Sequence, residues 1–355
     1  MIEIIDDSAG LKTIADGWNE LAKSFKTPLL QYDWISACAD TLCFPGQLRI
    51  VVNRTQSGLA AIAPLIFLNN NGIARLELLG ASATFEPSGF IYKNENSLKE
   101  LVGAVIRMGK PLSLGRLGKD ATEITILQQS RAGMTFLSVD KGAPFISINT
   151  TWDKFEAGMS SDYRNELRRK KKLLETHGKI TFEIIVPRPE TIERHLDEFI
   201  CVEAASWKGR ERSALMFDEK LKHFFLTYAR VAALRGIIRI YILRCDSKAI
   251  AAILAIQDFN GLWILKLGYS EEWQRCAPGI LLVHETVKCA FEEGLEKYEF
   301  LGTEAPWIRR WTKQVHPYVT AKVYPYTLPG LRGLALDGFS SIISKSASMK
   351  KRIAS

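Results

Sequence analysis

The sequence predicts an α/β fold (mixed α+β sheets) in two domains, each with a mixed, largely antiparallel sheet flanked by helices. Strand-like segments follow one another with hairpin-length turns between them, TQSG and NNNG in the first half and CDSK and DFNG in the second. The same order of helices, strand meander, helix and strand occurs in both halves. The length of 355 residues also exceeds one ordinary hydrophobic core and suits two domains.

The first half is predicted to form a domain over residues 1–150. Apolar residues at helical spacing predict helices over 11–24, 31–42 and 98–106, and a further helix is expected over 120–129. Strands are predicted at 48–53, 59–68, 73–79, 87–91, 112–117, 135–139 and 145–148. The domain boundary is predicted at 149–152, where a polar stretch follows a strand.

The second half is predicted to form a domain over residues 151–328. Helices are predicted over 163–175, 191–206, 218–235 and 279–293, and strands over 180–186, 237–244, 249–257, 262–269 and 298–301. Residues 329–355 mix apolar and basic side chains. They are predicted to be a flexible basic tail, and the alternative is a short amphipathic segment that touches an anionic membrane surface.

Composition limits the kind of protein and the kind of partner. The formal net charge of +8 favours a polyanionic partner such as a nucleotide, nucleic acid or anionic lipid surface. No stretch reaches the roughly 18 apolar residues that a membrane span needs, and the N-terminus lacks the features of a secretory signal. The six cysteines form no CxxC pair, which is typical of reduced thiols and predicts a cytoplasmic protein. The histidines show no metal-ligand spacing, so no metal site is predicted.

Residues 261–302 form the segment most suited to binding a ligand. An apolar strand ends near Gly268, a polar loop with Arg275 follows, and Pro278 and Gly279 open a helix. The first turn of a helix presents unpaired N–H groups and the positive end of the helix dipole. A pyrophosphate can bind there, and Arg275 can add a charge-assisted contact. The alternative is an ordinary β–α–β crossover, which has the same local pattern.

Residues 152–323 resemble the CelD-type branch of the GNAT acyltransferase superfamily, which is related to the Fem aminoacyl transferases. Four stretches carry this resemblance: SSDYRNELRRKKKLLETHG, EAASWKGRERSAL, KLGYSEEWQRCAPGILLVHETVKCAFEEGLEKYEFLG and GTEAPWIRRW. The N-terminal TPLLQYDWISAC is similar to the opening of such proteins. The resemblance implies tandem GNAT-like domains and acyl-CoA as the co-substrate. It also implies that Arg275, Gly279, Ile280 and Leu281 form the pyrophosphate loop and the start of its helix.

Two departures from the pattern of the superfamily affect what the resemblance implies. The loop has RCAPGI where Q/R-x-x-G-x-G/A is usual, so that Pro278 stands at the first glycine. The acyl donor can therefore be acetyl-CoA, a longer acyl-CoA or an aminoacyl-tRNA. Relatives often carry a Tyr-Lys pair before the final tryptophan, whereas here Trp307 and Ile308 precede Trp311. Tryptophan cannot protonate a leaving thiolate, although a thiolate needs little help near neutral pH.

Transfer of an acyl group from a thioester to an amine needs a general base for the amine. Glu304, just after the predicted strand end, is the first candidate for this base, and the alternative is a solvated loop carboxylate. Tyr269 follows another strand end. It is the candidate for protonating the thiolate, and its alternative role is packing on the pantetheine arm or on the core.

Three sets of residues are candidates for binding the acceptor. Arg164 and Arg168 lie one turn apart on a strongly basic helix and suit an anionic substrate, and the alternative is a solvated helix face. Trp207 sits in a polar loop, where a tryptophan favours a ligand or an interface. Trp307, in the fourth stretch of the resemblance, is the remaining candidate.

The leading hypothesis is an acyl-CoA-dependent N-acyltransferase. The resemblance implies an amino-sugar or nucleotide-sugar acceptor in cell-envelope, cellulose or other exopolysaccharide synthesis. One alternative is a Fem-like transferase that uses aminoacyl-tRNA, although no long heptad run is present for a tRNA-binding arm. The other is a non-catalytic GNAT-like module that binds a nucleotide-sugar or a polysaccharide synthase. DNA is not an expected partner, and the oligomeric state stays open.

Overall fold

The computed structural model describes residues 1–56, 58–70 and 72–339, which form two sheets and the helices around them. In the first half, the helices are α1 (Ser8–Lys12), α2 (Ala15–Ala22), α3 (Tyr32–Leu42), α4 (Ala81–Thr84), α5 (Glu95–Arg107) and α6 (Thr122–Gln129). The strands are β1 (Ile2–Ile5), β2 (Leu48–Thr55), β3 (Gly58–Asn70), β4 (Ile73–Leu78), β5 (Ile91–Tyr92), β6 (Leu112–Gly118), β7 (Gly133–Val139) and β8 (Ala143–Ser147).

The second half repeats this alternation of helices and strands. Its helices are α7 (Trp152–Gly158), α8 (Ser161–Glu175), α9 (Ile192–Ala204), α10 (Trp207–Arg210), α11 (Glu219–Leu234), α12 (Pro278–Glu292) and α13 (328–339). Its strands are β9 (Ile180–Ile185), β10 (Ile238–Cys245), β11 (Lys248–Asp258), β12 (Gly261–Tyr269), β13 (Lys297–Glu299), β14 (Val315–His316) and β15 (Tyr318–Pro325).

The two sheets are mixed and largely antiparallel, which confirms the predicted fold class. The first has the order β1-β2-β3-β4-β6-β15-β7, with β5 paired to β3, and the second has the order β14-β8-β13-β12-β11-β10-β9. In each sheet one described pair is parallel, β4 with β6 and β12 with β13. The halves also exchange strands, because β15 lies in the first sheet and β8 in the second. The ranges 1–150 and 151–328 therefore stay a prediction.

Alternation of side chains along the strands divides the interior into three cores. One face of each sheet packs on a central helix layer, whose buried residues include Trp18, Trp34 and Phe224. Trp34 of α3 meets Phe224 and Tyr228 of α11 at ring-centroid distances of 4.9 Å, so aromatic packing joins the two halves. The opposite faces pack on α5 and α6 in the first half and on α8 and α12 in the second. Period-two alternation thus buries both faces of inner strands such as β4 and β11, whereas the edge strand β7 stays largely exposed.

The segment after β15 begins as a helix rather than as a flexible tail. Within α13, Asp337 accepts hydrogen bonds from the Arg75 guanidinium at 3.0 Å and from the Tyr324 hydroxyl at 2.6 Å. These contacts attach α13 to the first sheet. The remainder of the predicted basic tail, 340–355, lies outside the described residues.

Candidate active site

Strands β12 and β13 diverge after a short parallel pairing. The register contains three pairs, which end at Trp263 and Glu299. The next residue, Phe300, donates its backbone N–H to Pro144 of β8 at 3.1 Å, so the chain continues along β8 and away from β12. Leu301 and Gly302 then take positive φ values of 54° and 52°, which turn the chain further. The predicted strand 298–301 is therefore shorter, and a gap opens beside the second half of β12.

A cavity of about 950 Å³ fills this gap. One wall is formed by residues 264–269 of β12, and another by the first turns of α12. The segment after β13 and residues 206–208 contribute further walls. The first half closes the cavity with residues 83–86, which belong to α4 and the loop that follows it. The cavity is thus built from both halves of the chain.

The N-terminus of α12 borders this cavity and is open to a ligand. Ala277 is the N-cap residue, with φ of 51°, and Pro278 is the first helical residue. No side chain in the described part of the chain forms a cap hydrogen bond at this helix start. Proline suits this position because its missing N–H would have had no helical partner. The ring of Tyr269 lies 3.2 Å from where a Cβ on Gly279 would stand, so glycine allows the tyrosine to pack on the first turn.

A second pocket of about 360 Å³ lies on the other side of this helix start. Its α8 wall includes Glu166 and Lys170, and the Lys170 ammonium donates to the backbone carbonyl of Arg275. Arg310 completes a basic border and pairs with Glu166 at 2.6 Å. Ala277, Ile280 and Trp307 border both pockets. An extended ligand that passes these three residues would reach from the basic pocket into the large cavity.

The segment EAASWKGRERSAL, which includes α10, is attached to β12 beside the cavity. Lys208 donates to the Glu203 carboxylate at 2.8 Å and to the backbone carbonyl of Leu267 at 2.9 Å, which attaches α10 to β12. A Cβ on Gly209 would lie 1.8 Å from the carbonyl oxygen of Ala204, so only glycine fits there. Trp207 remains 40% exposed and borders the cavity.

A buried carboxylate in the first half was missed by the sequence analysis. Glu86 borders the large cavity with 6% exposure, and its Oε2 accepts a hydrogen bond from the backbone N–H of Gly302 at 3.4 Å. Burial raises the pKa of Glu86 to about 7, although Lys266 and Arg116 oppose this shift. Burial also lowers the pKa of Lys266, which lines the same cavity, and the neighbouring Lys208 adds to that effect.

The predicted site residues fall into two groups. Tyr269, Gly279, Ile280, Trp207 and Trp307 all border the large cavity, and Leu281 joins Ile280 and Trp307 at the basic pocket. The structure therefore brings together residues that lie far apart in the sequence. Their roles in binding and catalysis stay predictions.

The other predicted residues lie apart from the described linings of these two pockets. Glu304 borders a separate pocket of about 270 Å³ and pairs with Arg309 at 3.1 Å. Arg275 is exposed and makes no ion pair with any described residue. Arg168 donates to Asn165 at 3.3 Å. The buried Nε of Arg164 has no hydrogen-bond partner among the described residues. The α8 face that borders the basic pocket is instead formed by residues 163, 166, 167 and 170.

Two properties concern the described residues as a whole. Among them, no cluster of three or more His, Cys, Asp or Glu side chains is arranged to hold a metal ion. No helix within 1–56, 58–70 and 72–339 combines the length and apolar character needed to cross a membrane.

Comparison with known proteins gives one family model that matches part of the chain. Residues 161–309 match the family model described as "Acetyltransferase (GNAT) domain". No curated protein matches the chain in sequence.

Solved structures of similar fold cover nearly the whole chain. One is the C-terminal domain of a proposed lysylphosphatidylglycerol synthetase from Agrobacterium fabrum (TM-score 0.55, 11% identity, 89% of this chain and 92% of that one). Another is a conserved protein of unknown function from Bacteroides thetaiotaomicron (TM-score 0.56, 11% identity, 91% and 99%). A third is FemX (TM-score 0.52, 12% identity, 88% and 96%). At these identities the likeness is one of fold. Residues 161–309 thus match a GNAT acetyltransferase domain, within a chain that has two mixed, largely antiparallel sheets.

Proposed function

We propose that the chain is an N-acyltransferase that moves an acyl group from acyl-CoA to an amine. The observation that carries this proposal is the divergence of β12 and β13, which opens a cavity reaching the N-terminus of α12, where no side chain of a described residue forms a cap. A thioester donor needs a phosphate site at one end and a dry, shaped cavity at the other. The match of residues 161–309 to a GNAT acetyltransferase domain supports the same reaction class.

In this proposal the donor extends between the two pockets as a substrate. Its pyrophosphate would bind at the first turn of α12, where the N–H of Gly279, which donates to no described residue, and the helix dipole favour negative charge. Lys170 and Arg310 add positive charge at the basic pocket, and Arg275 lies in the loop before the helix. The pantetheine arm would then pass Ile280 and Trp307, which border both pockets.

The acceptor amine would occupy the large cavity. Trp207 and Trp307 offer aromatic surface to a ring-shaped acceptor. An amino-sugar or nucleotide-sugar used in cell-envelope or exopolysaccharide synthesis fits the resemblance to the CelD-type branch, and such a substrate implies a cytoplasmic enzyme. Arg164 and Arg168 remain candidates for binding a phosphate of such an acceptor outside the cavity.

Donor binding is the first test of this function. Calorimetric titration of the wild-type protein with acetyl-CoA is expected to show binding, and Ile280→Glu is expected to abolish it by placing a carboxylate on the donor path. Lys288→Glu is the matched control, because it adds the same side chain to α12 outside the described linings of both pockets. Absence of binding to acetyl-CoA and to longer acyl-CoAs would refute the proposal.

Two further experimental outcomes would each favour one of the two alternative functions. Retention of charged tRNA without any acyl-CoA binding would identify the Fem-like, aminoacyl-tRNA-dependent alternative. Binding of acyl-CoA without thiol release across a panel of amines would favour a non-catalytic module. Release of CoA with glucosamine or a nucleotide-linked amino-sugar is the result that the proposal expects.

A further inference from the structure

Glu86 places a carboxylate from the first half of the chain inside the cavity of the second half. It follows α4, and its backbone N–H donates to the Thr84 hydroxyl at 3.3 Å. Its side chain reaches the backbone N–H of Gly302, just after the point where the chain has left β12. Glu86 therefore lies at the junction of the two halves, beside the gap between the strands.

The backbone around this contact is held in a conformation that ordinary residues avoid. Phe85, Arg116 and Leu301 have φ values of 59°, 59° and 54°, in the left-handed region that disfavours residues with a side chain. Arg116 also donates to the carbonyl oxygen of Gly302 at 2.6 Å. Strain of this kind persists only where the surroundings enforce it, and it concentrates at functional sites.

The charged and titratable groups that face Glu86 come from three strands. Lys266 lies on β12, Arg116 on β6 and Tyr318 on β15. Burial prevails over the two cations and raises the pKa of the carboxyl to about 7. A group that titrates near neutrality can both accept and release a proton at physiological pH.

We propose that Glu86 is the general base of the acyl transfer, a role that rests on the function proposed above. Its carboxylate takes one proton from the ammonium of the acceptor. The freed nitrogen then attacks the thioester carbon, the N–C bond forms and the C–S bond breaks. The second proton of the nitrogen ends on the sulfur of CoA, through Tyr269 or water. The proton held by Glu86 returns to solvent, so that amide, thiol and one proton are the products.

The geometry favours Glu86 over Glu304 for this role. Glu304 borders a different pocket and is engaged by Arg309. Glu86 borders the same cavity as Tyr269, Gly279 and Ile280, which are the residues expected near the donor. Glu86 lines the cavity in which an amine would bind, whereas Glu304 is outside the described lining of that cavity.

The test compares three variants, Glu86→Gln, Glu304→Gln and Glu123→Gln. Glu123 is the matched control, because it is also buried in the first half with a raised pKa but accepts from the backbone N–H of Phe90 outside the described cavity lining. For each variant, acetyl-CoA binding is measured by calorimetry. Thiol release from acetyl-CoA is measured from about pH 5 to pH 9 with glucosamine, with spermidine and with water alone.

We expect Glu86→Gln to bind acetyl-CoA like the wild type and to release thiol at least about 100-fold more slowly. The rate of the wild type should rise with pH up to about pH 7 and then level off. This rise of the rate should be absent in Glu86→Gln. A hydrazide acceptor, which is unprotonated at neutral pH, should be acetylated with a much smaller loss. Glu123→Gln should keep both rate and pH profile.

Two results would overturn the role of Glu86, namely unchanged thiol release by Glu86→Gln and a loss of thiol release in Glu304→Gln instead. A wild type that binds no acyl-CoA, or that binds acetyl-CoA without releasing thiol to any amine, would instead refute the proposed function itself and the role of Glu86 with it. The two kinds of failure are therefore separate observations.

Discussion

In the part of the chain that the structure describes, each half has one parallel strand pair, and the helix that precedes the second strand of that pair starts differently in the two halves. In the first half, the N-cap residue of α5 is Asn94, whose side-chain oxygen accepts from the backbone N–H of Ser97 at 2.9 Å, and Glu95 adds a negative charge to the first turn. In the second half, the N-cap residue of α12 is Ala277, and this helix has no side-chain cap from any described residue and no acidic residue in its first turn. The dipole of α5 is therefore satisfied within the chain, whereas that of α12 is available to a ligand.

The space beside each parallel strand pair also differs, because it is filled by side chains in the first half and is a cavity in the second. Next to β4 and β6, buried residues such as Phe90 and Leu117 form one hydrophobic core with Leu101 and Val105 of α5. Next to β12 and β13, the space is a cavity of about 950 Å³. Similar elements therefore enclose a packed hydrophobic core in the first half and a cavity in the second. The first half contributes to that site through Glu86, at the edge of its own core.

The largest expected effect is a loss of stability when a side chain is truncated in the hydrophobic core beside β4 and β6. Phe90→Ala should lower the free energy of unfolding by about 4 kcal/mol, because Phe90 is 1% exposed and its removal leaves an enclosed hole. Phe300→Ala should cost about 2 kcal/mol, since Phe300 already borders a cavity and mainly its burial is lost. Urea denaturation measures both values. Equal losses of unfolding free energy in the two variants would show that the surroundings of Phe90 and Phe300 are packed alike.

Replacement of Glu86 should change the pH dependence of stability. Between its ordinary value of 4.5 and about 7 the native state holds the proton of Glu86 and the unfolded chain does not, so this carboxyl makes stability fall as pH rises through that window. Glu86→Gln removes the effect and should be more stable than the wild type by up to about 3 kcal/mol above pH 7.

Thermal melts across the pH range check this prediction, and the low-pH end is an internal control. Below pH 4.5 the carboxyl is protonated in both states, so the two proteins should differ little. A variant less stable than the wild type at pH 8 would mean that the contact with Gly302 outweighs the cost of burying the charge.

The fold and much of the site could be predicted because their signals are local. Alternating apolar residues and turn sequences predict the strands, and Pro278 with Gly279 predicts the start of α12. The cavity borders Tyr269, which follows a strand end, Trp207, which is a tryptophan in a polar loop, and Trp307, which lies in the fourth stretch of the family resemblance. Local pattern was sufficient wherever one element and its neighbours in sequence determine the position of a side chain.

Glu86 could not be predicted because its environment is made by distant residues. In GASATFEPSGF it resembles any loop glutamate, and only the folding of residues 83–86 against β12 and Gly302 buries it. Glu304 was favoured because it follows a strand end, but Leu301 and Gly302 turn the chain before it. The exchange of β8 and β15 between the sheets is likewise a long-range pairing, without a local signal in either strand.

A carboxylate at the start of α12 should weaken donor binding. Ala277 has a positive φ, which Asp and Asn tolerate, so Ala277→Asp places negative charge at the helix start without new backbone strain. We expect acetyl-CoA to bind on the order of tenfold more weakly or worse, because the carboxylate opposes the phosphates. Ala277→Asn has the same shape without the charge and should lose much less. Equal affinity of the two variants would place the phosphates elsewhere.

The smallest expected effect comes from the cap of α5. Asn94→Ala should lower the free energy of unfolding by about 1 kcal/mol, because the N–H of Ser97 loses its acceptor and that serine is buried. Acetyl-CoA affinity, measured by calorimetry on the same preparation, should not change. Asn94→Asp keeps the cap and should leave both quantities close to the wild type. A change in donor affinity in either variant would mean that the first half binds the donor as well, and the contrast between the two helix starts would then fail.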